Sequence, residues 1–233
     1  MTTANPAPLR KIKLGKINLG KIKLAVLLSG SGTTLQNLLD RIIHGKLAAS
    51  IVLVIADRPG VFGLERAAKA NLPNRVIDRK AFATAQEFSD QIFASIRAVE
   101  ADLVVMAGFL RLLPIPADFN HKVMNIHPSL IPSYCGKGFH GNHVHQAVLD
   151  GGNKISGCTV HFVDNEYDHG PILIQKAVDV ARNDTAETLA KRVFAAECEA
   201  YPEAIEAFAE GRIKFDGRLA HLLCESDSAG WDG

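Results

Sequence analysis

Short, nearly continuous apolar segments alternate with amphipathic segments over much of this 233-residue chain. Leu24–Leu28, Ile51–Ala56 and Leu103–Ala107 are the clearest apolar segments. Runs of this kind indicate strands that are covered on both faces, which occur chiefly in parallel sheets. From Leu35 to Ile43, apolar residues recur at i, i+3, i+4, i+7 and i+8, the pattern of an amphipathic helix. This alternation restricts the chain to α/β folds with right-handed crossovers.

The remaining segments continue the alternation. We predict further strands at Arg75–Ile77, Val123–Ile126, Gly157–Val163 and Ile172–Val180, helices at Gly63–Asn71, His143–Leu149 and Asp184–Phe208, and a helix that presents Phe88, Ile92, Ile96 and Val99 on one face. Asp184 and Glu187 are predicted to form the capping box of the long helix. The last two strands are joined by a short loop, so one is expected to be antiparallel. The predicted fold is an open, mostly parallel Rossmann-like twisted sheet with helices on both faces and its last strands partly antiparallel.

No linker divides the apolar core, which predicts one catalytic domain over residues 22–215. Residues 1–21 are predicted to be a flexible N-terminal extension, and residues 216–233 a loosely held C-terminal tail. An imperfect Lys-Ile repeat starts at Lys11, Lys16 and Lys21, and its last copy is expected to begin the first core strand. The alternative for this repeat is a basic arm that binds nucleic acid.

Composition narrows the classes of function. The formal net charge is +1, so no global field would recruit nucleic acid or an anionic membrane. The four cysteines are widely spaced, which favours reduced thiols over a disulfide framework. No apolar run approaches the roughly 20 residues that cross a bilayer. We therefore expect a soluble cytoplasmic protein that binds small molecules, with no nucleic-acid or membrane partner, as a monomer or weak homodimer.

A glycine-rich segment, Ser29-Gly-Ser-Gly-Thr-Thr-Leu35, lies between the first strand and the first helix. Backbone N–H groups of Gly32, Thr33 and Thr34 at a helix start would favour an anion, and a phosphate is the natural candidate. A tight turn that needs glycine for steric reasons is the structural alternative. A dinucleotide site is a second alternative, with Asp57 as the ribose-binding acid, but the third glycine of that fingerprint is absent.

The strongest chemical signal is Asn125-Ile-His127 at the end of a predicted strand, together with Asp168 in a later loop. Residues two apart on a strand share a face, so the Asn125 amide and the His127 imidazole would point the same way. The amide can donate to a developing oxyanion while the imidazole donates or moves a proton. Asp168 would pair with His127, raise its pKa and favour imidazolium. Separate structural roles for all three residues remain the alternative.

Three histidines and one glutamate are further candidates for metal or ligand binding. His140, His143 and His145 are spaced closely, but no HExxH motif or Cys/Asp ligand set accompanies them, so no metal is predicted. Glu197 lies at the edge of the apolar stripe of the long helix. On local evidence it belongs to the rim of the core, with ligand binding as the alternative.

Five motifs, taken in order, carry a family resemblance. They are Ser29-Gly-Ser-Gly-Thr-Thr-Leu-Gln-Asn-Leu, Phe62-Gly-Leu-Glu-Arg-Ala, Leu103-Val-Val-Met-Ala-Gly-Phe-Leu-Arg-Leu-Leu, Asn125-Ile-His-Pro-Ser-Leu-Ile-Pro, and Gly157-Cys-Thr-Val-His-Phe-Val with Tyr167-Asp-His-Gly-Pro. Over about residues 23–215 the chain resembles the folate-dependent glycinamide ribonucleotide formyltransferase family. The resemblance implies transfer of a formyl group from 10-formyltetrahydrofolate, the co-substrate, to the amine of phosphoribosylglycinamide in purine synthesis.

The resemblance also implies roles for individual residues. Asn125 and protonated His127 would stabilise the tetrahedral oxyanion, while Asp168 would keep His127 charged and order a water. The implied contacts with the ribonucleotide are Gly32, Thr33, Thr34 and Glu197. The implied contacts with the folate are Leu110, Arg111, Leu112, Leu113, Asn125, Asp164, Asn165, Glu166 and Tyr167. The chain departs from the family pattern at Gln86, Phe194 and Cys198.

Two alternative functions fit parts of the same pattern. A 10-formyltetrahydrofolate hydrolase would share the Asn–His–Asp trio but deliver the formyl group to water. A catalytically silent folate- or nucleotide-binding module would keep the cleft without the reaction. The glycine-rich segment favours a phosphorylated acceptor over water. Retention of all three polar groups in an otherwise apolar cleft argues against a silent module, since unused buried polar groups cost stability.

Overall fold

The computed structural model describes residues 21–223, in which nine strands and five α-helices alternate. The strands are β1 Ile22–Leu28, β2 Ala49–Ala56, β3 Asn74–Val76, β4 Leu103–Met106, β5 Val123–His127, β6 Ile155–Phe162, β7 Ile172–Asp179, β8 Ile213–Asp216 and β9 Leu219–Leu222. The helices are α1 Thr33–Ile43, α2 Phe62–Lys69, α3 Ala85–Ala98, α4 Asn142–Asp150 and α5 Ala186–Ala209. The predicted bounds of strands and helices lie within two residues of these.

Seven strands form one sheet in the order β3-β2-β1-β4-β5-β6-β7. The pairs from β3 to β5 are all parallel, whereas β6 runs antiparallel to both β5 and β7. The predicted open, mostly parallel sheet with an antiparallel end is thereby confirmed. The last copy of the Lys-Ile repeat does enter β1 at Ile22. The two earlier copies, and residues 224–233, lie outside the described residues.

Alternate residues of the central strands enter two separate cores. Leu24, Val26 and Leu28 of β1 belong to the core beneath α1 and α5, whereas Ala25 and Leu27 belong to the core beneath α3. All five side chains are fully buried, as expected for a parallel strand that is covered on both faces. No helix within residues 21–223 is long and apolar enough to span a bilayer.

The start of α5 differs from the predicted capping box. The N-cap is Thr185, whose side chain accepts from the Thr188 N–H, and Thr188 in turn accepts from the Thr185 N–H. Asp184 instead accepts hydrogen bonds from Arg192, about two turns further into the helix, and the pair holds the pKa of Asp184 well below its usual range. The prediction was wrong by one residue because Arg192 competes for the carboxylate.

The beginning of the predicted tail also differs from expectation. β8 and β9 pair as an antiparallel hairpin that extends past residue 215, the predicted end of the catalytic domain. Phe215 stacks on the His121 ring with centroids 3.8 Å apart and meets Phe162 of β6 at 4.9 Å. Residues 219–222, at the start of the predicted tail, therefore form a strand that pairs with β8, and β8 packs on the main sheet through Phe215.

Tyr201 fixes α5 to the centre of the sheet. Its side chain is fully buried, and its hydroxyl lies 3.0 Å from the Met106 carbonyl oxygen of β4 and 2.8 Å from the Met124 carbonyl oxygen of β5. Burial raises the pKa of Tyr201 well above its ordinary value, so the hydroxyl remains a donor. Met124 immediately precedes Asn125, so this contact helps to set the end of β5.

We predict that Tyr201→Phe lowers the free energy of unfolding by about 1–3 kcal/mol, the usual cost of leaving a buried polar group unpaired. Urea denaturation followed by circular dichroism measures the change. Tyr167→Phe is the matched control, because that residue is 40% exposed and its loss leaves groups that water can reach. Equal effects of the two substitutions would contradict this account of Tyr201.

Candidate active site

A cleft of about 690 Å³ opens at the carboxyl ends of β1, β4 and β5. Open α/β sheets bind ligands at this edge because the loops after parallel strands converge there. Most predicted site residues line the cleft: Thr33, Thr34, Leu110, Arg111, Leu112, Leu113, Asn125, His127, Glu166, Tyr167, Asp168 and Glu197. Gly32, Asp164 and Asn165 are the predicted site residues that do not line it.

The structure brings Asn125, His127 and Asp168 together. The Asp168 Oδ1 atom lies 3.4 Å from the Asn125 amide nitrogen, and its Oδ2 atom lies 3.5 Å from the His127 Nδ1 atom. The His127 Nε2 atom lies 2.9 Å from the Tyr134 carbonyl oxygen. Because a carbonyl only accepts, Nε2 carries a proton and Nδ1 faces Asp168. The carboxylate can therefore hold a second proton on this ring.

Asp168 is itself firmly held. Its backbone has a φ of 51°, in the left-handed region that non-glycine residues rarely adopt, and the Gly136 N–H donates to Oδ2 at 2.9 Å. Burial opposes ionisation of Asp168, but His161, the charge of His127 and the Gly136 N–H together lower its pKa below the ordinary value. At neutral pH the residue is a carboxylate.

The net shift of the His127 pKa is opposite in direction to the predicted shift. Burial lowers the pKa of His127 below its ordinary value, and this effect exceeds the upward contributions of Asp168 and the Tyr134 carbonyl. Asp168 acts in the predicted direction, but the expected net rise was wrong because the ring is almost fully buried, with a 5% exposed side chain. His127 is mainly neutral at neutral pH.

His161 is a fourth member of the cluster, and we had predicted no role for it. It lies on β6 directly opposite Asn125, with its Nε2 atom 3.2 Å from the Asn125 amide nitrogen and 3.6 Å from the Asp168 Oδ1 atom. Its Nδ1 atom lies 2.9 Å from the Phe162 carbonyl oxygen and so carries a proton, while Nε2 faces both the Asn125 amide and the Asp168 carboxylate. The sequence signal was a titratable residue within an apolar strand.

The glycine-rich segment has features of both a tight turn and an anion site. Gly32 has a φ of 70°, and a Cβ atom there would lie 2.6 Å from the Gly63 Cα atom, so glycine is sterically required. Gly32 is also the N-cap of α1, and no side chain caps the helix among the described residues. The first N–H groups of α1, with Thr33 and Thr34, therefore point toward the cleft without a capping side chain.

Asp57 does not support the dinucleotide alternative. Its side chain is 1% exposed, and its Oδ2 atom accepts from the Arg111 Nε atom at 2.7 Å. Asp57 is not among the residues that line the cleft. Its carboxylate therefore holds Arg111 at the cleft edge and is not placed to bind a ribose.

The two segments predicted to bind folate are joined to each other. The Leu112 N–H donates to the Tyr167 hydroxyl at 3.2 Å, and the Ile115 N–H donates to the Asn165 side chain at 2.8 Å. Asp164 accepts from the Glu166 N–H within its own loop. Asn165 and Asp164 thus shape the wall of the cleft from behind, while Tyr167 lies on it.

Comparisons with known proteins identify the family. The formyl transferase family model matches residues 22–205. A phosphoribosylglycinamide formyltransferase of Haemophilus influenzae is 37% identical over 86% of this chain and 93% of its own. The crystal structure of glycinamide ribonucleotide transformylase 1 from Symbiobacterium toebii is 39% identical, covers 90% of this chain and 100% of its own, and superposes with a TM-score of 0.83. The chain belongs to the formyl transferase family.

A longer relative matches over a smaller part of its length. The trifunctional purine biosynthetic protein adenosine-3 of Bos taurus is 41% identical over 84% of this chain, which spans 19% of that protein. The similarity therefore concerns one segment of the trifunctional relative. The hairpin of β8 and β9 lies beyond the segment of this formyl transferase that the family model matches.

Glu197 reaches the cleft of this formyl transferase rather than only the rim of the core. It is half-buried beside Ala190 and Phe194, and burial raises its pKa to about 7. No hydrogen-bond or ion-pair partner of its carboxylate occurs among residues 21–223. A raised pKa and a free carboxylate at a cleft favour a ligand-binding role, in agreement with the family resemblance.

The three histidines after the cleft loop do not assemble a metal centre. Within the described chain, no group of three or more His, Cys, Asp or Glu residues is placed to hold a metal ion. His140 and His143 meet edge to face with ring centroids 5.8 Å apart, and His145 is buried. His140 lines the cleft and the other two belong to α4.

We predict that Asp168→Asn moves the pKa of His127 further below its ordinary value, because the substitution removes the charge that opposes desolvation. NMR titration of the His127 imidazole measures the shift. Asp118→Asn is the control, since that carboxylate pairs with Arg97 and not with His127. An unchanged His127 titration in Asp168→Asn would show that the two groups do not interact.

Proposed function

We propose that this formyl transferase moves the formyl group of 10-formyltetrahydrofolate to the amine of phosphoribosylglycinamide, as a phosphoribosylglycinamide formyltransferase of purine biosynthesis. The observation that carries the proposal is the shared cleft. The Asn125–His127–Asp168 cluster and the N-terminus of α1 both face it. One cleft can therefore hold the formyl group of one substrate and the phosphate of the other. The relatives named above support the same reaction.

The chemistry is a direct transfer between the two substrates. The glycinamide nitrogen attacks the formyl carbon, a C–N bond forms, and the carbonyl electron pair moves onto oxygen. Collapse of this tetrahedral intermediate breaks the bond to folate N10, and the proton lost by the amine ends on N10. No enzyme nucleophile is required, which agrees with the absence of a serine or cysteine beside a base in the predicted site.

Asn125 and His127 stabilise the oxyanion. The Asn125 amide nitrogen lies 3.2 Å from the His161 Nε2 atom and 3.4 Å from the Asp168 Oδ1 atom, and these two groups orient it. The oxyanion would replace Asp168 as the acceptor of one amide hydrogen. His127 is mainly neutral in the free protein, but a negative charge developing beside it favours imidazolium. The Asp168 carboxylate supports that change of protonation from 3.5 Å. Asp168 can also orient a water that carries the proton from the amine to N10.

The substrates occupy opposite parts of the cleft. The ribonucleotide phosphate binds at Gly32, Thr33 and Thr34, where backbone N–H groups and the helix dipole favour an anion. Glu197 contacts the glycinamide or ribose side, and Phe194 lies one turn before it on the same wall. A hydroxyl or ammonium donor would stabilise the ionised form of Glu197 and lower its pKa.

The folate binds along the wall formed by Leu110–Leu113 and Asp164–Tyr167. Leu110 and Tyr167 are 41% and 40% exposed, so this wall offers apolar surface to an aromatic ring system. Asn125 reaches the reacting end of the folate from β5. The reaction involves two small molecules and no metal.

Deformylation of 10-formyl-5,8-dideazafolate, followed spectrophotometrically with and without phosphoribosylglycinamide, tests the proposal. We expect turnover only when the ribonucleotide is present. Turnover that ignores the ribonucleotide would establish the hydrolase instead. Binding of the folate analogue without any turnover would establish a silent binding module.

We predict that Asn125→Ala lowers kcat by roughly 10²–10³-fold, the usual effect of losing an oxyanion donor. The same assay measures the change under saturating substrates. Asn74→Ala is the matched control, because Asn74 is an exposed residue on β3 whose side chain donates to the nearby Leu72 carbonyl. Near-normal turnover of Asn125→Ala would remove this residue from oxyanion stabilisation.

A further inference from the structure

We propose that Arg218, in the turn of the β8–β9 hairpin, is a positioning residue for Asp168 and acts through His169. The inference rests on the proposed function for its catalytic consequence. Its structural basis is a chain of contacts that runs from the hairpin to the loop that carries Asp168. We call the contacts among Arg218, His169 and Asp164 the hairpin clamp.

The hairpin clamp joins three side chains. An Arg218 Nη2 group lies 2.7 Å from the His169 Nε2 atom, 3.4 Å from its Nδ1 atom and 3.3 Å from the His169 carbonyl oxygen. Contact with both ring nitrogens means that the guanidinium group lies against the ring and not along one nitrogen lone pair. The Nδ1 atom is 2.8 Å from the Asp164 Oδ2 atom. His169 thus links Arg218 to Asp164 and joins the two ends of the Asp164–His169 loop.

The loop depends on such a restraint because its backbone is unfavourable at the catalytic residue. Asp168 adopts a φ of 51°, and its immediate neighbour in the chain is His169. After His169, a Cβ atom at Gly170 would lie 2.0 Å from the Phe162 carbonyl oxygen, so the chain passes close against β6 at the end of the loop. Asn165, Glu166 and Tyr167 between them are exposed. In addition to the Gly136 N–H, restraints at the two ends of this loop therefore help to hold the carboxylate 3.5 Å from His127.

The hairpin can provide this restraint because it is fixed to the main sheet. Phe215 of β8 lies against Phe162, the residue next to His161 in the catalytic cluster. The Leu223 N–H donates to the Arg212 carbonyl at 2.8 Å and closes the end of the hairpin. Arg218 is therefore delivered by an anchored element that lies beyond the family match at residue 205.

A contact that is only structural would behave differently. Arg218 and His169 are both exposed, and hydrogen bonds and charges at the surface contribute little to global stability. The hairpin clamp is therefore expected to influence the position of one carboxylate far more than the unfolding of the domain. A loss of kcat without a loss of Tm would therefore distinguish the proposed role from a purely structural one.

The test is a double-mutant cycle with Arg218→Ala, His169→Ala and the double variant. We expect each single substitution to lower kcat roughly 10-fold, as small displacements of a catalytic group do. We expect the double variant to be no slower than either single variant, since all three break the same chain of contacts. The KM for phosphoribosylglycinamide and the Tm are expected to stay close to those of the unsubstituted protein.

Two further variants sharpen the cycle. His169→Gln is expected to recover most of the lost kcat, because its amide nitrogen can donate to Asp164 while its oxygen accepts from Arg218. Arg212→Ala is the matched control in the same hairpin, since Arg212 pairs with Glu210 rather than with the loop. Unchanged kcat in Arg218→Ala, or losses that multiply in the double variant, would overturn the proposal.

A readout that needs no turnover separates this proposal from the proposed function. Arg218→Ala is expected to lower the NMR-measured pKa of His127, because a displaced Asp168 carboxylate no longer opposes desolvation. If the His127 pKa shifts but the protein does not transfer formyl groups, the hairpin clamp is supported and the transferase proposal is rejected. Transfer without any shift of His127 in Arg218→Ala would reject the hairpin clamp alone.

Discussion

The cleft depends on the parallel pairing of β1, β4 and β5. Because parallel strands end at the same edge, the glycine-rich segment after β1, the Leu110–Leu113 segment after β4 and the Asn125–His127 pair on β5 converge there without any long excursion of the chain. Both faces of these strands are buried, so the edge is set by two apolar cores. The Tyr201 hydroxyl adds a polar contact from α5 to the same strands.

Within the cleft, burial and charge pairing shift the pKa values of titratable groups in opposite directions. Which effect prevails differs between neighbouring groups. Asp168 has several donors around its carboxylate, so pairing prevails and its pKa is low. His127 is more deeply buried and has one carboxylate, so desolvation prevails. Glu197 has no partner for its carboxylate among residues 21–223, and burial raises its pKa to about 7. The free protein thus presents an anion beside a neutral imidazole, which under the proposed mechanism would gain a proton as an oxyanion develops.

The antiparallel end of the sheet supplies the rest of the cluster. Reversal of β6 places His161 directly opposite Asn125 and returns the chain to the cleft as the Asp164–His169 loop. The β8–β9 hairpin then packs on Phe162 of that same strand. Elements that are distant in sequence therefore meet near one carboxylate, and a residue of the β8–β9 hairpin contacts a loop about fifty residues earlier in the chain.

The sequence by itself determined the strand and helix pattern, the sheet class and the Asn125–His127–Asp168 trio, because hydrophobic periodicity and local motifs act over short stretches. It misplaced the cap of α5, where Arg192 competes for Asp184, and it did not predict the β8–β9 hairpin, whose second strand lies at the start of the predicted tail. Only the tertiary structure decided the role of His161, the contact of Asp57 with Arg111 and the downward pKa of His127. Each of these depends on burial and on partners far away in sequence, which local pattern does not specify.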